Sequence, residues 1–156
     1  MTELSHVGSD GQVQMVNVGG KPSSLRRAVA SGLLIITPQH RAALGNLSKG
    51  DALTVAQIAG IMAGKRTAEW IPLCHSLALN VLDVTISIQP EGLFIEAIAE
   101  ADGVTGVEME AFVAVAAAGV TLIDMLKSVG SDLTLTNIRL EEKTGGKAPW
   151  KRAQVS

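Results

Sequence analysis

The sequence has a single cysteine, Cys74, and few aromatic residues: two tryptophans, two phenylalanines and no tyrosine among 156 residues. One cysteine excludes a disulfide framework and any metal site built from several thiolates. An aromatic content of 3% leaves no stacking platform for single-stranded nucleic acid, and a net charge of −2 argues against a duplex-binding surface. The sequence therefore predicts no nucleic-acid partner.

Long hydrophobic runs, signal sequences and common nucleotide-binding loops are also missing. No uncharged apolar run approaches the ~20 residues that span a bilayer. The N-terminus lacks a basic region followed by an apolar core, and there is no Walker-type or GxGxxG loop. We therefore expect a cytoplasmic protein without a membrane partner. Hydrophobic residues nevertheless make up 47% of the chain and the mean hydropathy is +0.30, an excess that favours oligomerisation.

An alanine-rich segment at residues 105–127 is the most informative part of the chain. Its four charged residues all lie near its two ends: Glu108, Glu110, Asp124 and Lys127. A helix that is apolar on every side must be buried on every side, and a chain this short has little interior to surround it. We therefore expect a subunit partner to cover part of the helix, with a pocket at the rim of the interface.

The remaining pattern predicts alternating strands and helices within a single domain, residues 1–156. We expect a strand at 25–36, a short helix from Thr37 to about Gly45, and a helix from the capping box at 54–57 to about Trp70. Strands at 83–88 and 93–100 flank a turn, and a last strand at 133–140 has a bulge at Asn137. Residues 1–24 are expected to be a mobile arm and 143–156 a loose tail.

The resulting order, β-α-β-β-α-β with one short extra helix, predicts an α+β fold. This is the ferredoxin-like arrangement, a four-stranded antiparallel sheet with two main helices on one face. A second capping box is predicted at Thr105–Glu108, and Gly130 is expected to cap the end of the long helix.

Two neighbouring residues, Cys74 and His75, lie in a loop between a predicted helix and a predicted strand. His75 can serve as an acid, a base or a phosphate ligand, or it can simply cap a nearby carbonyl; position alone favours neither. Cys74 fits a small buried hydrophobic residue better than a nucleophile.

The charged residues at the two ends of the long helix are expected to have different roles. Glu108 has a structural explanation as part of the capping box, whereas Glu110 has none and is the better functional candidate. Asp124 and Lys127 share one helix face and are set in apolar sequence, so we expect a partly buried pair suited to proton transfer. Glu110 and Asp124 are about 21 Å apart along the helix axis, so a single site that uses both ends would need two subunits.

Lysines beside glycines suggest an anionic ligand. Lys49 precedes Gly50, and Lys143 and Lys147 flank residues 144–146. Glycine lets a backbone approach an anion closely while lysine neutralises it. A pocket lined by several lysines, one histidine and carboxylates predicts a polyanionic small molecule.

Seven blocks of the sequence together resemble the cyclic pyranopterin monophosphate synthase family of molybdenum cofactor biosynthesis (MoaC type). They cover nearly the whole chain in the right order and spacing: residues 49–51, 59–61, 65–67, 71–75, 105–110, 124–127 and 143–147. The resemblance implies a lyase that converts a cyclised dihydroguanosine triphosphate, made by a radical SAM enzyme from GTP, to the cyclic pyranopterin monophosphate with release of pyrophosphate. It also implies a ferredoxin-like fold and a hexamer, a trimer of dimers with pockets between subunits.

The resemblance also assigns roles to individual residues. Asp124 and Lys127 would be the catalytic pair, with Lys49 as a further catalytic or phosphate-contacting lysine. Eight further residues would bind substrate: Leu73, Cys74, His75, Glu108, Met109, Glu110, Lys143 and Lys147. No organic cofactor and no dedicated metal site are implied, although a divalent cation on the substrate triphosphate is compatible with the family.

The chain departs from the family pattern at several positions: Asn17, Ser76, Val104, Ile123, Ser131 and 148–149. The family usually has a cation at 104 and a tyrosine at 123, so these changes keep open a catalytically inactive paralogue that binds nucleotides or a partner. Without the resemblance, a phosphate-binding oligomer with no chemistry also remains open. Since Asp124, Lys127, Lys49 and His75 are all present, we favour the active lyase.

Overall fold

The computed structural model describes residues 11–153. Their helices and strands are, in chain order, β1 (Ser24–Ile35), α1 (Pro38–Ala43), α2 (Ala52–Gly64), α3 (Thr67–Trp70), β2 (Val81–Gln89), β3 (Gly92–Gly103), α4 (Glu108–Leu126), β4 (Thr134–Thr144) and β5 (Trp150–Lys151). All strands pair antiparallel in one sheet of order β2-β3-β1-β4-β5. The predicted α+β class is confirmed, and the strand order around β1 fits the ferredoxin-like type.

The sheet differs from the prediction in having a fifth strand, and the described chain has two short helices, α1 and α3, rather than one. The extra strand forms because Trp150 and Lys151 return to pair with Lys143 and Glu142 of β4. This part of the predicted loose tail at 143–156 is therefore ordered in the sheet. Residues 1–10 of the predicted arm and 154–156 of the tail lie outside the described residues.

Four helix boundaries differ from the predictions. Helix α2 begins after Asp51, not at 54, because the Asp51 carboxylate accepts from the backbone N–H groups of Leu53 and Thr54 at 3.0 and 3.3 Å. It ends at Gly64, whose carbonyl accepts from the Thr67 hydroxyl at 2.8 Å, and α3 follows as a separate turn. Helix α4 begins after Val107 with no side-chain cap, and Lys127 rather than Gly130 is its C-cap.

Three further local predictions are confirmed. Thr37 caps α1 with Pro38 at the first helical position. Pro90 and Glu91 form the turn between β2 and β3, whose last pair is Gln89 with Gly92. Asn137 has a φ of +53°, in the left-handed region that asparagine tolerates, and the register between β1 and β4 shifts opposite it.

The hydrophobic core lies between the sheet and the pair α2 and α4. Every second residue of β3 from Leu93 to Ala101 is at most 1% exposed and faces this core. Most of these positions are alanine, so α4 can approach the sheet closely. Where α2 crosses α4, a Cβ at Gly60 would lie 2.8 Å from the Ala114 carbonyl oxygen, so only glycine fits the observed helix spacing.

Helix α4 is mostly enclosed by the fold. Its 19 residues are long and apolar enough to cross a membrane, but 61% of its most apolar window is buried inside the protein, as in a core helix. One stripe of the helix stays open: Val120 is 60% exposed and Met109 36% exposed, with Phe112 and Ala116 half-buried between them. Within one chain α4 is therefore not buried on every side.

The close contact between α2 and α4 gives a stability prediction. Gly60→Ala forces the two helices apart or shifts the Ala114 backbone, and overpacking of this kind costs roughly 1–3 kcal/mol. Urea unfolding should show this loss. Gly45→Ala is the control, because a Cβ there meets nothing within 4 Å; equal stability of the two variants would contradict the packing described.

Candidate functional site

The C-terminal end of α4 carries a cluster of three charged residues, Lys49, Asp124 and Lys127, which we call the lysine–aspartate cluster. Lys127 Nζ lies 2.6 Å from Asp124 Oδ1, and Lys49 Nζ lies 2.9 Å from Asp124 Oδ2. Lys49 Nζ also donates to the Asp124 carbonyl oxygen at 2.9 Å. The structure thus brings together the three residues to which the family resemblance assigned catalysis or phosphate contact.

The two lysines set the protonation state of the cluster. Hydrogen bonds from Lys127 and then Lys49, with their positive charges, lower the pKa of Asp124 from an ordinary 3.8 to about 2. Asp124 is therefore a carboxylate throughout the neutral range, and the cluster has one excess positive charge. Its side chains are 42–59% exposed, so the expected partial burial of the pair is not provided by this chain alone.

Lys49 reaches Asp124 because of the turn that starts α2. Gly50 adopts a φ of +97°, a conformation that suits glycine, and Asp51 immediately follows as the N-cap. The short segment between α1 and α2 is thereby bent so that its lysine meets the end of α4.

The N-terminal end of α4 borders a cavity of about 330 Å³, here called the Cys74 cavity. It brings together six of the residues predicted to bind substrate: Leu73, Cys74, His75, Glu108, Met109 and Glu110. Residues Val16, Val18 and Lys21, which precede β1, close its other side.

Glu110 is the buried carboxylate of this cavity. It is 5% exposed, and burial, together with the charge of nearby Glu108, raises its pKa in spite of a backbone hydrogen bond that lowers it. Burial also raises the pKa of the Cys74 thiol, and the charge of Glu110 adds to this effect. The thiol is therefore protonated at neutral pH, which disfavours Cys74 as a nucleophile.

His75 is held by the segment that precedes β1. Its Nε2 lies 2.9 Å from the Val16 carbonyl oxygen. Because a carbonyl oxygen only accepts, Nε2 carries the proton of the bond. Both functions considered for His75 are therefore compatible, since it caps a carbonyl and lines the cavity.

A second cavity, of about 210 Å³, adjoins the first and contains the basic residues. Lys143 and Lys147 line it, with Arg26 and Arg27 of β1. Glu108 lines both cavities and pairs with Lys143 at 3.2 Å. The predicted capping role of Glu108 is wrong because α4 starts at this residue, which leaves its side chain free to reach β4.

Sequence reasoning missed three basic residues of the cavities, Lys21, Arg26 and Arg27. Arg26 Nε donates to the Gly103 carbonyl oxygen at 3.1 Å, which holds the side chain across the end of the sheet. Two successive arginines at the start of a strand could have indicated an anion site from the sequence. The cavity that they share with Lys147, however, forms only when β1, β3 and β4 are paired. Val104, one of the departures, lines a third cavity together with Lys21, Arg26 and Lys147.

The candidate residues therefore form two groups at opposite ends of α4. Asp124 and Lys127 are separated from Glu108 and Glu110 by most of the helix, about 21 Å between residues 110 and 124. Within residues 11–153 there is no group of three or more histidine, cysteine, aspartate and glutamate side chains that could hold a metal.

Comparison with known proteins assigns the chain to a family. A profile of the MoaC family matches residues 15–146. The chain belongs to the MoaC family. It is 46% identical to the cyclic pyranopterin monophosphate synthase of Thermomicrobium roseum, over 97% of this chain and 95% of that protein, and 45% identical to the enzyme of the same name from Novosphingobium aromaticivorans, over 99% and 100%.

A eukaryotic relative is longer than this chain. Molybdenum cofactor biosynthesis protein 1 of Drosophila melanogaster is 44% identical over 98% of this chain, which spans 28% of that protein. This chain therefore aligns with one part of the fly protein and with nearly the whole of the two bacterial ones.

The hydrogen-bond pattern of the lysine–aspartate cluster gives a titration prediction. Lys127→Met should raise the pKa of Asp124 more than Lys49→Met, because the bond from Lys127 is the largest cause of the lowered value. Because the folded pKa lies below the ordinary value, the stabilising effect of this carboxylate is present above about pH 4 and lost as the pH falls toward 2.

Carboxyl NMR titration of the two variants measures this order directly. Lys151→Met is the control, since Lys151 pairs with Glu142 instead. An unchanged Asp124 pKa in Lys127→Met would contradict the geometry of the cluster.

Proposed function

We propose that this chain is a cyclic pyranopterin monophosphate synthase, a lyase of molybdenum cofactor biosynthesis. Its substrate is (8S)-3',8-cyclo-7,8-dihydroguanosine 5'-triphosphate, and its products are cyclic pyranopterin monophosphate and pyrophosphate. The observation that carries this proposal is the 45–46% identity to bacterial synthases over nearly the full length of both chains. A radical SAM enzyme that cyclises GTP would act immediately before it, in the cytoplasm.

The lysine–aspartate cluster is the proposed catalytic centre. Rearrangement of the purine to a pterin requires protons to move during ring opening and ring closure. Asp124, which is ionised at neutral pH, would orient the ammonium groups of Lys49 and Lys127 toward the reacting ring. The lysines would then donate protons, as general acids positioned by a common carboxylate.

The second cavity, which Lys143, Lys147, Arg26 and Arg27 line, suits the phosphate chemistry. The cyclic phosphate forms when a ribose hydroxyl oxygen bonds to the innermost phosphorus and the bond from that phosphorus to the pyrophosphate oxygen breaks. Negative charge develops on the leaving pyrophosphate, and Lys143, Lys147 and Arg26 are placed to stabilise it. No organic cofactor is proposed; a divalent cation would enter with the triphosphate.

The purine-derived part of the substrate, which becomes the pterin, would occupy the Cys74 cavity. Leu73, Cys74 and Met109 offer apolar contact, while His75 and Glu110 offer hydrogen-bonding groups. Glu110, with its raised pKa, can remain protonated nearer to neutral pH than an exposed carboxyl group and so donate a hydrogen bond.

The complete site would be assembled from two copies of the chain. One small molecule cannot span the ~21 Å between the ends of α4. The open stripe of α4 runs from Met109 past Val120, and Ile58 and Met62 of α2, the helix that packs against α4, are also exposed. If two copies pack antiparallel through this apolar face, the lysine–aspartate cluster of one copy approaches the Cys74 cavity of the other.

Such a dimer also accounts for the exposed cluster. A partner over the open stripe would bury the apolar side chains and exclude water from the charges at both ends. We propose that three such dimers form the hexamer that the family resemblance implies.

A second candidate is an inactive paralogue that binds the nucleotide without converting it. Val104 favours it, since this residue occupies a cavity wall where the family usually has a cation. Lys21, Arg26 and Lys147 line the same cavity and retain three positive charges there. These cations support the active enzyme.

Substitution of the central carboxylate separates catalysis from binding. Asp124→Asn should lower turnover of the cyclised GTP substrate by about 10²- to 10⁴-fold, the usual size of a proton-transfer contribution, and leave substrate binding nearly unchanged. Pyrophosphate release measures turnover and calorimetry measures binding. Asp132→Asn, an exposed aspartate just beyond α4, is the control. No product from folded wild type would favour the paralogue.

Mixed oligomers test whether sites lie between subunits. Asp124→Ala alters one end of α4 and His75→Ala alters the cavity at the other. Each variant alone should be inactive, whereas co-refolding the two should restore part of the activity because some sites then combine two intact halves. A mixture that remains as inactive as either variant, although mass spectrometry shows mixed oligomers, would place the whole site within one chain.

A further inference from the structure

His40 is a buried histidine that lies outside the cavities described above. It is 2% exposed and belongs to the short helix α1. Its Nε2 lies 2.9 Å from the Gly130 carbonyl oxygen, in the segment that follows α4. Its Nδ1 lies 2.7 Å from the Thr37 hydroxyl and 3.3 Å from the Thr37 backbone nitrogen. Both ring nitrogens therefore have partners in different parts of the chain.

The partners determine which nitrogen carries the proton. The Gly130 carbonyl oxygen can only accept, so Nε2 must donate to it. Nδ1 is then the acceptor for the Thr37 hydroxyl and backbone N–H, which completes the capping box at the start of α1. The ring thus links the start of α1 to Gly130 through both of its nitrogens.

Each end of this link is close in sequence to a member of the lysine–aspartate cluster. Gly130 follows Lys127 by three residues, and the backbone N–H of Val129 donates to the Leu126 carbonyl to form the turn between them. On the other side, α1 ends at Ala43, and the connection to Lys49 packs Leu44 and Leu47 against the core.

We infer that His40 is a positioning residue for the lysine–aspartate cluster. It fixes α1, and with it the segment that carries Lys49, against the turn that follows Lys127. Both lysines must meet the same carboxylate, so a shift of either segment separates an ammonium group from Asp124. The kinetic part of this inference rests on the proposed function, whereas the structural part does not.

The contact at Gly130 is tight, so a side chain there would have to displace the His40 ring by a few tenths of an ångström. A Cβ at Gly130 would lie 3.3 Å from His40 Nε2 and 3.4 Å from Cε1. Gly130→Ala should therefore push the ring away and weaken the link from the opposite side, without changing any charged residue.

Two substitutions of His40 separate its two bonds. In His40→Gln the side-chain amide nitrogen reaches the position of Nε2 and can still donate to Gly130, whereas in His40→Asn the amide oxygen reaches only the position of Nδ1 and can cap Thr37. If the link to Gly130 positions the cluster, His40→Asn and Gly130→Ala should lower kcat about tenfold to a hundredfold with little change in KM. His40→Gln should stay near wild type.

Neighbouring exposed positions provide the controls. Gln39→Ala changes the adjacent residue of α1, which is exposed, and Gly45→Ala adds a Cβ where nothing lies within 4 Å. Both should retain wild-type kcat. A fall in His40→Gln as large as that in His40→Asn would overturn the inference.

A labelling measurement tests the inference without relying on activity. Lys49 reacts with an amine reagent more slowly while it is bonded to Asp124, so the ratio of its labelling rate to that of Lys151 reports the pairing. His40→Asn and Gly130→Ala should raise this ratio by up to about fivefold, the effect of losing an exposed ion pair. His40→Gln should not.

The kcat measurement and the labelling measurement can contradict different proposals. If wild type forms no product, the proposed function is wrong, and the labelling ratio still decides whether His40 positions Lys49. An unchanged ratio in both His40→Asn and Gly130→Ala would overturn the inference even in an active enzyme.

Discussion

The structure depends on one packing constraint, the close approach of α4 to both the sheet and α2. Alanines on β3 and α4, with Gly60 of α2, allow backbones to come nearer than larger side chains would permit. Charge is therefore excluded from the middle of α4 and confined to its ends. The positions of the candidate residues are a consequence of this constraint, since the helix that forms the core also determines where its charged termini emerge.

The two ends of α4 create opposite electrostatic environments from similar residue types. At one end, two lysines hold Asp124 ionised in an exposed cluster. At the other end, burial favours the neutral form of Glu110. In the proposed reaction these two groups would have different roles: the ionised Asp124 would orient proton donors, and Glu110 would form a hydrogen bond with the substrate.

Local patterns predicted much of this fold, including β1, the cap at Thr37, the turn at residues 89–92 and the bulge at Asn137. The capping predictions were wrong where a neighbouring residue caps the helix instead, or where the side chain pairs with a residue that is distant in sequence. Asp51 caps α2 more directly than Thr54, and Glu108 pairs with Lys143 from β4 rather than with its own helix end. Six residues of the Cys74 cavity were named from the sequence, but Lys21 of that cavity and Arg26 of the second cavity were not, because only tertiary pairing brings them there. The strand at Trp150 likewise depends on a long-range partner.

That last strand has a consequence for how the sheet ends. β5 is only two residues long, and one of them is Lys151, whose ammonium group lies 3.2 Å from Glu142 on the neighbouring strand. A short, charged edge strand offers few free backbone groups to a strand from another molecule. The returning segment thus covers part of the edge of β4, where eleven residues would otherwise present a longer template for the strand-to-strand growth that leads to aggregation.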